Sequence, residues 1–178
     1  MPNHVRNVLK FSNLTKDDVA FVLNRFGYPM EDKGIFPLNV IFDFNGVVPE
    51  PKTKDECPED CLVNKDSHVE EDKDRPWFDW YTWHNKYWGT KWGAYDGYTK
   101  IGKTTVTFVF STAWSAPFEV YEQLADKWPG LKWEVKYADE AIGDNCGYIQ
   151  HLPFRAVDIY DEPTSNPEAF ARRIWRNY

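Results

Sequence analysis

The stretch Thr104–Phe110, Thr-Thr-Val-Thr-Phe-Val-Phe, constrains this chain most. β-branched and aromatic residues fill all seven positions, a composition that packs well on a pleated surface and poorly in a helix. The residues after it are equally ordered. Ser115 and Pro117 open a helix over 118–127 with Val120, Tyr121 and Leu124 on one face, and Pro129-Gly130 ends it. Leu131–Tyr137 then sets Leu131, Trp133, Val135 and Tyr137 against Lys132, Glu134 and Lys136, the alternation of a half-buried strand. The same order is legible earlier. His4–Phe11 alternates, Thr15 offers a helix N-cap with Asp17 and Asp18 in the first turn, and Val19, Phe21–Leu23 and Phe26 form an apolar stripe that stops at Gly27. Asn39–Phe44 reads as a second strand. Gly147–Leu152 adds a strand and Pro167–Trp175 a short C-terminal helix.

Strand–helix–strand, written twice, is the split βαβ plan. The expected fold class is therefore α+β: a ferredoxin-like core with an acidic, aromatic-rich helical and loop subdomain inserted between its second and third strands. The expected organisation is a single domain over 1–178. The insertion covers 50–103, with an acidic loop at 55–74 and an aromatic cluster at 77–98. Within it, Trp77 to Trp88 keeps a helical repeat, and Gly89–Lys103 reads as a structured loop.

Charge is concentrated in that insertion. The chain has a formal net charge of −7. Residues 55–74 hold nine acids and two bases, and the remainder holds 19 of each. A neutral body with one acidic segment argues against broad electrostatic binding to duplex DNA, which needs a basic footprint. No apolar run reaches the roughly 20 residues of a membrane helix, and the first residues lack the apolar stretch of a signal peptide. The expected location is the cytosol, where three cysteines do not form a disulfide framework.

Three features could carry function. Trp88-Gly89-Thr90-Lys91-Trp92 puts a lysine cation between two indoles, a patch that could stack bases or hold an anion; the alternative is that the indoles plug the core beneath a long loop. The acidic segment could meet the basic groove of a nucleic-acid-binding protein, or simply be a solvated loop. Its carboxylates Asp55, Glu56, Glu59, Asp60, Glu70, Glu71, Asp72 and Asp74 are the candidate partner-binding acids, with Trp88, Lys91 and Trp92 as candidate aromatic and cationic anchors. Cys57 and Cys61, with His68, are the weak candidates for a metal site; zinc needs four ligands and the usual second pair is missing, so no cofactor is expected. No catalytic residue is expected either. His4, His68, His84 and His151 lie in no nucleophile motif, and Asp43, Asp139 and Glu140 are isolated carboxylates near strand ends.

Several blocks resemble one family. The opening Met1-Pro2-Asn3-His4-Val5-x-Asn7 is similar to the start of the Api92-like, or YubB ferredoxin-like, proteins of phages and plasmids. So are Trp88–Trp92, Phe110-Ser111-Thr112-Ala113-Trp114-Ser115-Ala116-Pro117 and Trp128-Pro129-Gly130-Leu131, in the expected order. Ala116 stands where the family usually has proline, and Tyr87 where it usually has asparagine. The acidic stretch is not part of the core family pattern. The resemblance implies a ferredoxin-like domain from a mobile element and supplies no catalytic residue. The expected function is that of a non-enzymatic phage or plasmid accessory protein. It would bind a host protein stoichiometrically, inhibiting nucleic-acid-handling defence through the acidic patch in an anti-CRISPR-like manner. Two alternatives are a single-strand nucleic-acid-binding module, which needs Phe108, Phe110, Trp133 or Tyr137 exposed on the sheet, and a zinc-stabilised structural module. The expected partner is a host protein, with no membrane and with direct nucleic-acid binding less favoured.

Overall fold

The computed structural model describes residues 3–29, 40–64, 72–155, 157–160 and 166–177. In chain order the elements are β1 (His4–Ser12), α1 (Lys16–Phe26), β2 (Gly27–Pro29), β3 (Val40–Phe42), α2 (Trp80–Tyr87), β4 (Tyr95–Ile101), β5 (Thr105–Ala113), α3 (Phe118–Lys127), β6 (Lys132–Asp139), β7 (Cys146–His151), β8 (Val157–Tyr160) and α4 (Pro167–Asn177). Thr15 caps α1 as expected, in a reciprocal capping box with Asp18.

The main sheet is antiparallel, with strand order β4-β5-β1-β6-β7-β8. Strand β5 separates β4 from β1, and β1 separates β5 from β6. The units β1–α1–β4 and β5–α3–β6 are thus the two split βαβ halves, and the ferredoxin-like fold holds. Strands β7 and β8 widen the sheet beyond it.

One strand changes place. The expected second strand, 39–44, supplies only Val40–Phe42, which pairs with Gly27–Pro29 in a separate two-stranded sheet. The second core strand is β4, inside the stretch 89–103 that reads as a loop. Its pattern is hidden by a β-bulge: the register shifts between Tyr95 and Tyr98, and Asp96 takes φ +46°. At Gly97 a Cβ would run into the Val109 carbonyl oxygen, so only glycine fits. The acidic, aromatic-rich insertion accordingly ends at the start of β4, and it lies between α1 and the second core strand.

The sheet's two faces differ. Val5, Leu9 and Phe11 of β1, Val106, Phe108 and Phe110 of β5, and Trp133, Val135 and Tyr137 of β6 pack with Val22 and Phe26 of α1 and with Val120, Tyr121 and Leu124 of α3. Cys57, Cys61, Phe78, Trp83 and Trp88 of the insertion join the same core. Both faces of β1 are covered, because α4 lies on the opposite side, with Ala171 and Ile174 against Val8, Val109, Ala138 and Cys146. Phe108, Phe110, Trp133 and Tyr137 are all buried against the helices. The sheet-face nucleic-acid reading that depended on their exposure is therefore corrected. Among the described residues no helix is long and apolar enough to cross a membrane.

Candidate binding site

The Trp88–Trp92 segment splits into an inside and an outside. Trp88 is a core residue, which corrects its reading as a contact anchor. Its ring stacks on His84, centroids 4.0 Å apart and 16° between planes, and its indole N–H donates to the Val48 carbonyl at 2.9 Å. Gly89 takes φ +72°, and a Cβ there would run into the Glu119 carboxylate. Thr90 is buried; its hydroxyl donates to the Ala113 carbonyl at 2.8 Å and accepts from the Ala113 N–H at 3.2 Å. These two bonds tie the loop to the end of β5, and they turn Lys91 and Trp92 outward.

There Lys91 meets three rings from three segments. Its ammonium lies 4.7 Å from the Trp92 ring centroid, 5.5 Å from that of Trp114 and 5.8 Å from that of Tyr81. The rings are large apolar groups left at the surface: Tyr81 and Trp92 are each 37% exposed and Trp114 is 45% exposed. Cation–π attraction to a shared lysine holds them in one arrangement. Trp92 continues edge-on to Tyr95, at 6.1 Å, beside a surface depression of about 350 Å³. The Tyr95 hydroxyl donates to the Thr112 carbonyl at 3.1 Å and accepts from His4 Nδ1 at 2.6 Å.

Trp114 lies within the family-like block 110–117, where no sequence pattern marks it as a contact residue. It adopts φ +68°, a conformation disfavoured for any bulky side chain. The surroundings enforce it. The Trp114 N–H donates to the Asn3 carbonyl at 2.9 Å, and its own carbonyl accepts from Asn145 at 2.9 Å. Below the turn, the Asn7 amide donates to Thr112 Oγ1 at 2.9 Å and to the Val5 carbonyl at 3.0 Å; its carbonyl oxygen accepts from the Tyr121 hydroxyl at 3.1 Å. Thr112 Oγ1 in turn donates to the Ser115 carbonyl at 2.7 Å. All three side chains are buried, and each polar group has a partner. Asn3, Asn7, Thr90, Thr112 and Ser115 come from three family-like blocks far apart in sequence, and all converge on the turn that presents Trp114.

A charged cluster holds the loop from beneath. His84 Nδ1 donates to the Lys91 carbonyl at 2.9 Å, while Nε2 lies 2.6 Å from Glu50 Oε1. The other Glu50 oxygen pairs with Arg75 at 2.7 Å, and Arg75 also pairs with Asp72 at 2.9 Å. Burial alone would raise the Glu50 carboxyl, but the hydrogen bonds from His84 and Arg75 prevail and hold it below the ordinary 4.5. A carboxyl lowered in the folded state contributes stability that is present above its unfolded value and lost as pH falls through its folded one. Glu50→Gln is therefore expected to lower the melting temperature near pH 7, with the gap from wild type narrowing below about pH 4.5. A gap that stays constant across that range contradicts the ion pairing.

The acidic segment is partly neutralised by its own surroundings. Asp60 pairs with Lys86 at 2.5 Å and Asp72 with Arg75, while Glu56 accepts from the Lys52 and Thr53 N–H groups. Asp55, Glu59 and Asp74 are exposed. Glu70 and Glu71 lie outside the described residues. The base of the segment is closed by a bridge between Leu62 and Phe78. On α2, Tyr81 and Lys86 sit about 140° apart round the helix at ~100° per residue. One side of α2 thus borders the aromatic platform and another the acids.

Cys57 and Cys61 are both buried, which fits packing rather than metal ligation. The Cys57 thiol donates to the Cys61 carbonyl at 3.4 Å and the Cys61 thiol to Asp60. Burial, with Asp60 alongside, pushes the Cys61 thiol up to about 12, far from the thiolate that zinc takes. His68 lies outside the described residues. Among the described residues no group of three His, Cys, Asp or Glu could hold a metal ion.

No curated protein and no solved structure matches the chain significantly. A family model does match, over residues 87–173, from the end of α2 into α4; the central strand β1, which carries Asn7, lies outside that range. The matching model is described as the ferredoxin-like domain in Api92-like protein, and the sheet order agrees with it: residues 87–173 match the ferredoxin-like domain of the Api92-like family.

Proposed function

We propose that this protein is a mobile-element accessory protein that acts by stoichiometric binding to a host protein, and that it inhibits nucleic-acid-handling defence by occlusion. The observation that supports this reading is the surface formed by Tyr81, Trp92 and Trp114 around Lys91. Exposed aromatics fixed in one arrangement, beside a cation, are the composition of an interface anchor, because little side-chain freedom is lost when they are covered. A Trp forced to φ +68° by a fully satisfied buried network is a backbone cost that tight packing alone does not call for.

This shifts the emphasis from charge to aromatics. Asp60, Asp72 and Glu56 are engaged within the chain, so the acidic segment supplies rim charge through Asp55, Glu59 and Asp74 rather than the whole anchor. Rim charges govern association rate and salt dependence more than final affinity.

The test is affinity capture from host lysate at low and high salt. The expected result is a protein partner retained by wild type at both salt concentrations and lost by Trp92→Ala. The variant Asp55→Asn/Glu59→Gln/Asp74→Asn is expected to capture less at low salt only. Absence of any protein partner would sink the proposal. A partner held equally by Trp92→Ala would remove the platform from it.

A further inference from the structure

The neutral remainder of the chain is itself divided by the fold. Strand alternation puts Lys10 of β1, Lys132, Glu134 and Lys136 of β6, and Tyr148 and Gln150 of β7 on the sheet face away from α1 and α3. Helix α4 covers only part of that face, around Val8, Val109, Ala138 and Cys146. The row Lys100–Thr107–Lys10–Glu134–Gln150 lies beyond this cluster. Helix α4 turns Ala171 and Ile174 inward and leaves Arg172, Arg173 and Arg176 exposed.

Among the described residues eight bases, Arg6 included, thus share this side with Asp96, Glu134, Glu168 and the register position of Asp158 opposite Gln150. Ion pairs on this side, among the described residues, include Arg6–Asp96 at 3.1 Å and the weaker Lys10–Glu134 at 3.7 Å and Arg172–Glu168 at 3.6 Å. The Lys10 side chain is still 44% exposed. Two tyrosines stand half-buried at this face: Tyr98, which packs against the edge of the α4 cluster and has the Lys100 ammonium 5.5 Å from its ring centroid, and Tyr148, whose hydroxyl donates to Glu134 at 3.0 Å.

We infer that this basic sheet face, bordered by α4, binds single-stranded nucleic acid. The charge is complementary to a phosphate backbone. The flat face with Tyr98 and Tyr148 suits bases that are free to stack, which a duplex keeps inside. An acidic polypeptide would use the cations and make no use of the aromatic faces. The surface uses none of the residues of the Lys91 platform, so the two proposals stand or fall separately.

The test is fluorescence anisotropy of a labelled oligothymidylate of about 12 nucleotides, at low and moderate salt. Binding is expected at low salt, with log affinity falling linearly in log salt by about 0.7 per phosphate contact. Lys132→Glu/Lys136→Glu is expected to weaken it by about tenfold or more, while Trp114→Ala leaves it unchanged. If circular dichroism shows that the sheet variant does not fold, Arg173→Glu/Arg176→Glu on the exposed side of α4 takes its place, with the same expected loss. No binding at low salt, undiminished binding by a folded charge-reversal variant, loss with Trp114→Ala, or displacement by polyglutamate more readily than by unlabelled oligonucleotide would each overturn the inference.

Discussion

Phe26→Ala is expected to destabilise the protein by about 4 kcal/mol, the range seen when a fully buried aromatic is truncated. Phe26 closes α1 onto the sheet from the centre of a ring cluster. Phe11 stacks on it at 5.7 Å, Trp128 meets it edge-on at 4.8 Å, and Phe42 lies at 6.3 Å. These neighbours come from β1, from the end of α3 and from the two-stranded sheet, so no single movement closes the cavity. The loss combines the transfer energy of the ring with a cavity that rigid aromatic walls keep open. With m about 2 kcal/mol/M, the urea midpoint should drop by about 2 M. A loss below about 1 kcal/mol would mean that α1 does not pack as described.

Asn7→Ala is expected to cost about 3 kcal/mol by a different mechanism. Little apolar area is lost, but the Tyr121 hydroxyl loses its acceptor and Thr112 loses a donor, in a site without solvent. An orphaned buried polar group carries its full desolvation cost. The mechanism has a second consequence. Asn7→Leu/Thr112→Val/Tyr121→Phe removes most of the orphans with their partners, so the triple variant should be more stable than the sum of its single changes. Additive losses in a thermal melt series would contradict a coupled network. Both variants should also perturb the Trp114 turn, because Thr112 Oγ1 holds the Ser115 carbonyl.

Legibility varied with how local each signal was. The N-cap at Thr15, the alternation of Leu131–Tyr137 and the β5 run are set by neighbouring residues, and each appears where the pattern puts it. Strand β4 was hidden because Asp96 and Gly97 look like a turn. The bulge that makes them strand residues depends on how closely β5 approaches. Val40–Phe42 has good strand composition, but which strand it joins is a long-range choice. In the site, Lys91 and Trp92 were visible as a motif, whereas the inward turn of Trp88 depends on Val48 and His84, 40 and four residues away. Trp114 carries no local mark of its role. Its positive φ and its place over Lys91 come from hydrogen bonds to Asn3 and Asn145, which no local pattern encodes. The acidic segment was plain as composition; its internal pairing with Lys86 and Arg75 was not.

The central claim is that the Trp114 turn, held by the buried network and set over Lys91, is a contact surface and not a packing feature. Trp114→Ala tests it most directly, since the ring is nearly half exposed and its removal should shift the melting temperature by no more than about 2 °C. The measurement is quantitative capture of the proposed host protein partner by wild type and by Trp114→Ala at equal folded concentration. A loss of about tenfold or more in captured partner with unchanged stability is the predicted result. Equal capture by the two proteins, or a stability loss as large as that of Asn7→Ala, would contradict the account.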